Sequence, residues 1–261
     1  MNKILRPKNL PTVVLIAGIL AAALRVWTIG GGPDAAGLYP RQPVAWNLLW
    51  LLTVLTLGVC VLCLRCLRTP GAYHENYPAS PISAFGAGLA AVAAVLTVPA
   101  LFQVKDNAFT LVAGCVGVLA AVGMGYVAYC RFKGLKPNFA AHFAMCLYLA
   151  MRMFNCCRTW SNEPQLGVFV FPLVTMICAM LAAFQLACID AGIGKRRTCL
   201  VWCLMGMYCA MAALPGGEDV VFNGCIALWL LTNLPSLRML KKPPVEEIPA
   251  EETVQEPDLE V

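Results

Sequence analysis

Three observations predict an all-α integral membrane protein, a polytopic bundle of about eight transmembrane helices with both termini cytoplasmic. Hydrophobic residues make up 60% of the chain and charged residues 13%, with a mean hydropathy of +0.72. Soluble domains carry about 45–50% and about 25% respectively. Apolar runs of about 20 residues recur, the length that crosses a hydrocarbon core of about 30 Å as a helix. Lysine and arginine cluster at every second connection between these runs, as they do in a chain that weaves through a bilayer.

The first run covers residues 12–29. Lys3, Arg6 and Lys8 precede VVLIAGILAAAL, a pattern that a secretory signal shares. Seven further runs follow and the loop charges alternate correctly only with this one in place, so it is expected to stay as a span. The second run, 46–67, carries Cys60, Cys63 and Cys66 at cluster-like spacing. They lie late in an apolar helix with no fourth ligand nearby, and read as filler. The third run, 83–103, holds small residues at Gly86, Ala90 and Ala94, with Pro99 near its outer end. The fourth, 108–130, holds Ala113, Gly117, Ala121 and Gly125 at a spacing of four. Membrane helices associate through close approach at small residues, and only VKDN joins these two runs. The spacing therefore predicts a tight antiparallel pair, with the stripe of each helix facing the other.

The fifth run, 138–157, continues into RMFNCCRTWSNEPQ. The sixth, 166–189, has Pro172 in its first two turns, which should kink it or end a first half-turn. Cys178 and Ala182 form its small-residue face, and Asp190 stands beside GIGKRR, where a local ion pair is expected. The seventh, 197–214, shows Cys199, Cys203, Gly206 and Ala210 on one face, and the eighth is 219–237. LRVW closing the first run resembles MRMF in the fifth, as in transporters built from repeated halves. The registers do not hold over longer stretches. Residues 1–242 thus form one helical membrane domain. Residues 243–261, with seven acidic and no basic residues, cannot bury a core and are expected to be a disordered cytoplasmic tail.

Orientation follows from charge. Fourteen of the nineteen lysines and arginines fall on one side of this eight-span chain. Basic residues near span ends are retained in the cytoplasm, which places both termini inside and points to a cell-membrane protein.

Several chemistries find no residues to carry them. There are two histidines, His74 and His142, and only His142 lies in a span. A bis-histidine haem and an H-E-x-x-H zinc site are therefore not expected. Apart from Asp219 at the first residue of the eighth, no aspartate lies within an apolar run, and there is no G-x-S-x-G, which disfavours an intramembrane hydrolase. The fourteen cysteines sit mostly in apolar runs, where thiols act as small hydrophobes, and no disulfide is expected. No metal, cofactor or nucleic-acid partner is expected; the expected partner is the lipid bilayer, whose anionic headgroups suit the basic loops.

The polar residues of the outer halves remain. Arg152 lies about fourteen residues into the fifth span, roughly 8 Å from its outer end. Arg25 lies at matching depth in the first span. Either could reach headgroups with its stem, and Trp160 would anchor at the same level. However, Arg152, Asn155 and Thr159 share a helix face, and an amide against lipid would be left unpaired. Arg25, Arg152, Asn155 and Asn223 are therefore the candidate ligand-binding residues of an outward-facing cationic vestibule for a small anionic solute. Other polar residues of the outer halves are Gln103, Glu163, Glu218 and Asp219. The expected function is permease-like or solute-binding. The competing expectation is a non-catalytic sensor, scaffold or assembly factor whose acidic tail contacts a cytoplasmic protein. A membrane enzyme ranks third.

Overall fold

The computed structural model describes residues 9–30, 43–65, 79–103, 108–161, 166–216 and 219–236. The acidic tail, the N-terminal basic cluster, His74, Cys66, Glu163 and Glu218 lie outside them, as do the side chains of Cys63, Arg65 and Gln103. Among the described residues the regular structure is all helical: α1 (Leu10–Ile29), α2 (Pro43–Arg65), α3 (Pro81–Gln103), α4 (Ala108–Lys133), α5 (Phe139–Trp160), α6 (Val170–Asp190), α7 (Arg196–Ala213) and α8 (Val220–Ser236). A helix stands at each of the eight apolar runs. Six of them, all but α5 and α8, are long and apolar enough to cross a membrane.

Local sequence explains the helix boundaries. Pro43 and Pro81 open α2 and α3, where a missing N–H costs nothing and a fixed φ suits the first turn. The side chain of Asn138 accepts from Ala140 N at 3.0 Å and caps α5. Helix α4 ends on Gly134 (φ 73°), with Leu135 N donating to Cys130 O at 2.8 Å. Helix α6 ends alike on Gly192 (φ 87°), with Ile193 N donating to Cys188 O at 2.9 Å. Both glycines take the left-handed conformation that closes a helix. Ahead of Pro172 the chain forms a 3-10 turn, Leu166–Phe169, before α6 begins. A second 3-10 turn, Leu214–Gly216, follows α7.

Helices α3 to α8 pack in cyclic order, each on its neighbours in sequence, with α8 returning to α3; α1 lies against α7, and α2 against both. Helix α7 is the hub. Two-thirds of its span (67%) is buried, against 22% for α1 and α2, although it is the least apolar of the six long helices. Its small residues admit neighbours on several sides. Tyr208 OH and Thr53 Oγ1 meet at 2.9 Å and tie α2 to α7. Ser83 donates to Asn233 Oδ1 at 3.3 Å between α3 and α8, and Thr97 bonds Tyr148 between α3 and α5. Outside this polar seam the surface is a belt of exposed Leu, Val, Ile and Phe, such as Val54, Leu62, Val122 and Phe154.

The small-residue stripes part from expectation in two places. Ala113, Gly117 and Ala121 are buried, and a Cβ on Gly117 would stand 2.5 Å from Val98 and 2.9 Å from Tyr148. Gly125 is exposed with nothing near it. A spacing of four advances about 40° per step on a helix of about 3.6 residues per turn. The fourth member has therefore rotated off the face, and Met124, Val127 and Cys130 continue it. On α3, Ala90 and Ala94 are buried, but a Cβ on Gly86 would collide with Thr232 and approach Trp229. That glycine receives α8, not α4. Helix α3 is packed on two sides, and its small residues serve both.

Candidate functional site

Two clusters of ionisable side chains lie at opposite ends of the bundle. At the first end, the C-terminal parts of α1, α5 and α7 meet the starts of α6 and α8. Arg152 is 7% exposed and Arg25 is 1% exposed, so neither stem carries its charge out to a surface. Both guanidiniums turn into the protein and find partners there.

Arg152 Nη2 donates to Asp219 Oδ2 at 2.6 Å, and its guanidinium lies over the Phe222 ring, 4.3 Å from the centroid. Asp219 has φ 56°, the one positive φ at a non-glycine among the described residues, and a carboxylate 40% exposed. Aspartate tolerates this region better than most residues. Its carbonyl accepts from Asn223 N at 2.9 Å, which starts α8 and puts Asn223 one turn along the same face. Asn223 is 2% exposed and its Nδ2 has no hydrogen-bond partner among the described residues. Arg152 Nε is likewise buried without one.

Arg25 Nη2 donates to Val168 O in the 3-10 turn before α6, and its guanidinium lies 5.2 Å from the centroid of Phe171. A Cβ on Gly216 would stand 3.9 Å from that same Nη2. Arg25 thus reaches the chain just after α7, and Arg152 reaches it three residues later. Arg25 is bonded to the turn before α6 and Arg152 to the residue that opens α8. Aromatic rings wall this end: Trp160 stacks on Phe169 at 4.7 Å, and Trp50 lies 5.9 Å from Phe171.

The four residues expected at a vestibule are therefore placed as follows. Arg152 and Asn223 share the start of α8 through Asp219. Arg25 approaches from the 214–216 side. Asn155 stands half-buried a turn beyond Arg152, with its carbonyl taken by Thr159 Oγ1 at 3.1 Å. Thr159 is exposed, so the expected polar face of α5 turns inward at Arg152 and leaves the bundle by Thr159. Trp160, expected as an interfacial anchor, is buried against Phe169 because the 3-10 turn folds back over the end of α5. The member missing from the expected set is the carboxylate. Asp219 opens the last helix at the depth of Arg152, and that shared depth was the available signal in the sequence.

The second cluster joins the other ends of α4, α5 and α6. Asp190, with its side chain wholly buried, receives His142 Nδ1–H at 2.6 Å on Oδ2 and Arg131 Nη2 at 3.4 Å on Oδ1. Asp190 thus has partners 48 and 59 residues distant in the sequence, beyond the neighbouring GIGKRR run. Helices α4 and α5 present Arg131 and His142 to the end of α6. Ser80 N donates to Arg131 O at 2.9 Å and brings the start of α3 to the same place.

Elsewhere, an apolar groove between α1 and α2 is lined by leucines such as Leu20, Leu24, Leu51 and Leu55, with Trp27. Its lining is almost wholly apolar. The chain matches no family model, no curated protein and no solved structure in the comparisons made with each.

Proposed function

We propose that the chain is an eight-span protein of the cell membrane, both termini cytoplasmic, that binds a small anionic solute at the outward end carrying Arg25 and Arg152. It acts as a permease-like or solute-binding protein. Support for the span count comes from the six long apolar helices together with α5 and α8. Helix α5 has 22 residues. At a rise of about 1.5 Å per residue it is about 33 Å long. Its residues Arg152 and His142 turn inward, Arg158 is exposed in its last turn, and Phe139, Phe143, Leu147 and Phe154 form an exposed apolar stripe on its other side. Helix α8 has 17 residues and is flanked by further chain. Its length of about 25 Å is somewhat short of a full crossing.

One observation carries the ligand reading. Two buried donors at the first end, Arg152 Nε and Asn223 Nδ2, have no acceptor among the described residues, and leaving such groups unsatisfied costs about 1–3 kcal/mol each. Ionisable residues within membrane spans are rare, and those that face the bundle interior mark solute and ion paths. Both donors call for an acceptor oxygen, and the neighbouring guanidinium calls for a negative one.

Arg152→Ala should weaken anion binding roughly tenfold or more, since a charge-assisted hydrogen bond contributes about 1.5–3 kcal/mol. Arg152→Lys should recover only part of that, because an ammonium lacks the planar fork. The measurement is the ligand-induced thermal shift of the purified protein across a panel of inorganic and organic anions. Equal shifts for wild type and Arg152→Lys over the whole panel would remove the site.

A further inference from the structure

Asp219 is a carboxylate on the arginine proposed to hold an anion, and its attachment is of an exchangeable kind. The other described acidic residue, Asp190, is wholly buried between Arg131 and His142. Asp219 is 40% exposed and meets Arg152 through one Nη at 2.6 Å. Exposure of the carboxylate lets water compete for this contact and screen it. Arg152, by contrast, is held in place: buried, over the Phe222 ring, with its Nε and the Nδ2 of Asn223, the residue after Phe222, lacking acceptors among the described residues. Asp219 therefore fills one point of a site that has more to offer.

We propose that Asp219 is a built-in stand-in for the ligand, and that the solute is a small monocarboxylate that takes its place on Arg152. The proposal rests on the anion-binding reading above. A free carboxylate can engage Nη2 and Nε together, the side-on fork geometry that guanidinium prefers, and Asn223 Nδ2 supplies a third donor one turn along α8. Asp219, tethered at the first residue of that turn, makes one such contact. The surroundings favour a singly charged anion with an apolar body. Phe222 backs the guanidinium of Arg152 and Phe171 that of Arg25, and aromatic rings satisfy no second or third charge on a phosphate. Displacement leaves Asp219, already half in solvent, hydrated at the rim.

The internal competitor gives the test a distinctive sign. An occupied site binds with its intrinsic affinity reduced by the fraction of time it is open, so removing the carboxylate should raise affinity while removing the arginine lowers it. Benzoate, acetate and inorganic phosphate are titrated calorimetrically into the purified full-length protein in detergent. Asp219→Asn should bind benzoate roughly tenfold more tightly than wild type, corresponding to occupancy of Arg152 by Asp219 about nine-tenths of the time. Asp219→Gly should do the same. This second variant guards against misfolding, because the backbone there has φ 56°, a conformation that glycine takes without strain. Phosphate should bind more weakly than benzoate to each protein. If wild type binds benzoate and neither variant binds it more tightly, Asp219 is not a stand-in, although the anion site survives. Tighter binding of phosphate than of benzoate would overturn the assignment of a monocarboxylate. Absence of binding to wild type and both variants would overturn the anion site and this proposal with it.

Discussion

At the scale of single residues, burial decides what the charged side chains do. Arg25 and Arg152 are long enough to reach headgroups from their positions, yet they are turned inward onto Val168 O and Asp219 and backed by Phe171 and Phe222. A guanidinium stacked on a ring gains cation–π attraction, which strengthens with desolvation. Asp190 illustrates the opposite balance. Its carboxylate is wholly buried, and Arg131 and His142 compensate it. Removing one member of a buried ion pair leaves an uncompensated charge and costs about 3–5 kcal/mol, whereas replacing both by apolar groups is often neutral. Asp190→Asn should therefore lower unfolding stability in detergent by that amount, and Arg131→Met combined with Asp190→Leu should recover most of it. A double variant as unstable as the single one would mean that His142, not Arg131, carries the interaction.

At the scale of helices, close approach and its failure are both visible along α4. Gly117 lies between Val98 of α3 and Tyr148 of α5, so any side chain there must push two helices apart. Gly125, two turns on, faces open space. Overpacking a well-filled core costs about 1–3 kcal/mol. Gly117→Leu should accordingly destabilise the protein by at least that much and depress its melting temperature in detergent, while Gly125→Leu should leave both unchanged. Equal effects at the two positions would contradict the packing described. The lesson of the stripe is one of period. A repeat of four in the sequence is not a repeat of the helix, and each step turns the face by about 40°. Three members of the row stay in contact and the fourth does not. Gly86 adds a second lesson, since a helix packed on two sides uses its small residues for both neighbours and the sequence does not divide them.

At the scale of the molecule, the cyclic packing of α3 to α8 brings the ends of α5, α6, α7 and α8 together with α1 at one pole, and α3 to α6 at the other. The proposed topology makes these poles the outer and inner faces. Lys195 precedes α7 and Arg158 lies in the last turn of α5, and both are exposed. In a background with the other reactive thiols replaced, a cysteine in place of Arg158 should react with an impermeant maleimide on intact cells. One in place of Lys195 should react only after permeabilisation. Labelling of the latter from outside would invert or abolish the eight-span arrangement.

Composition and the position of apolar runs by themselves determined that the chain is helical, and where each of the eight helices lies to within a few residues. Those are local properties, since a long run of consecutive apolar residues can satisfy its backbone in lipid only by coiling. The sequence also brought Arg25, Arg152 and Asn223 into view, because charge and amide groups within apolar runs stand out against their neighbours. The partners were not legible. Asp219 lies 67 residues from Arg152, and Asp190 lies 59 from Arg131. Depth along a helix can be counted from sequence, but the direction in which a side chain leaves the helix axis is set by which neighbour it packs against. Only the tertiary structure decided that the two arginines turn inward, onto Val168 and Asp219, that Gly86 receives α8, and that the centre of the bundle is α7.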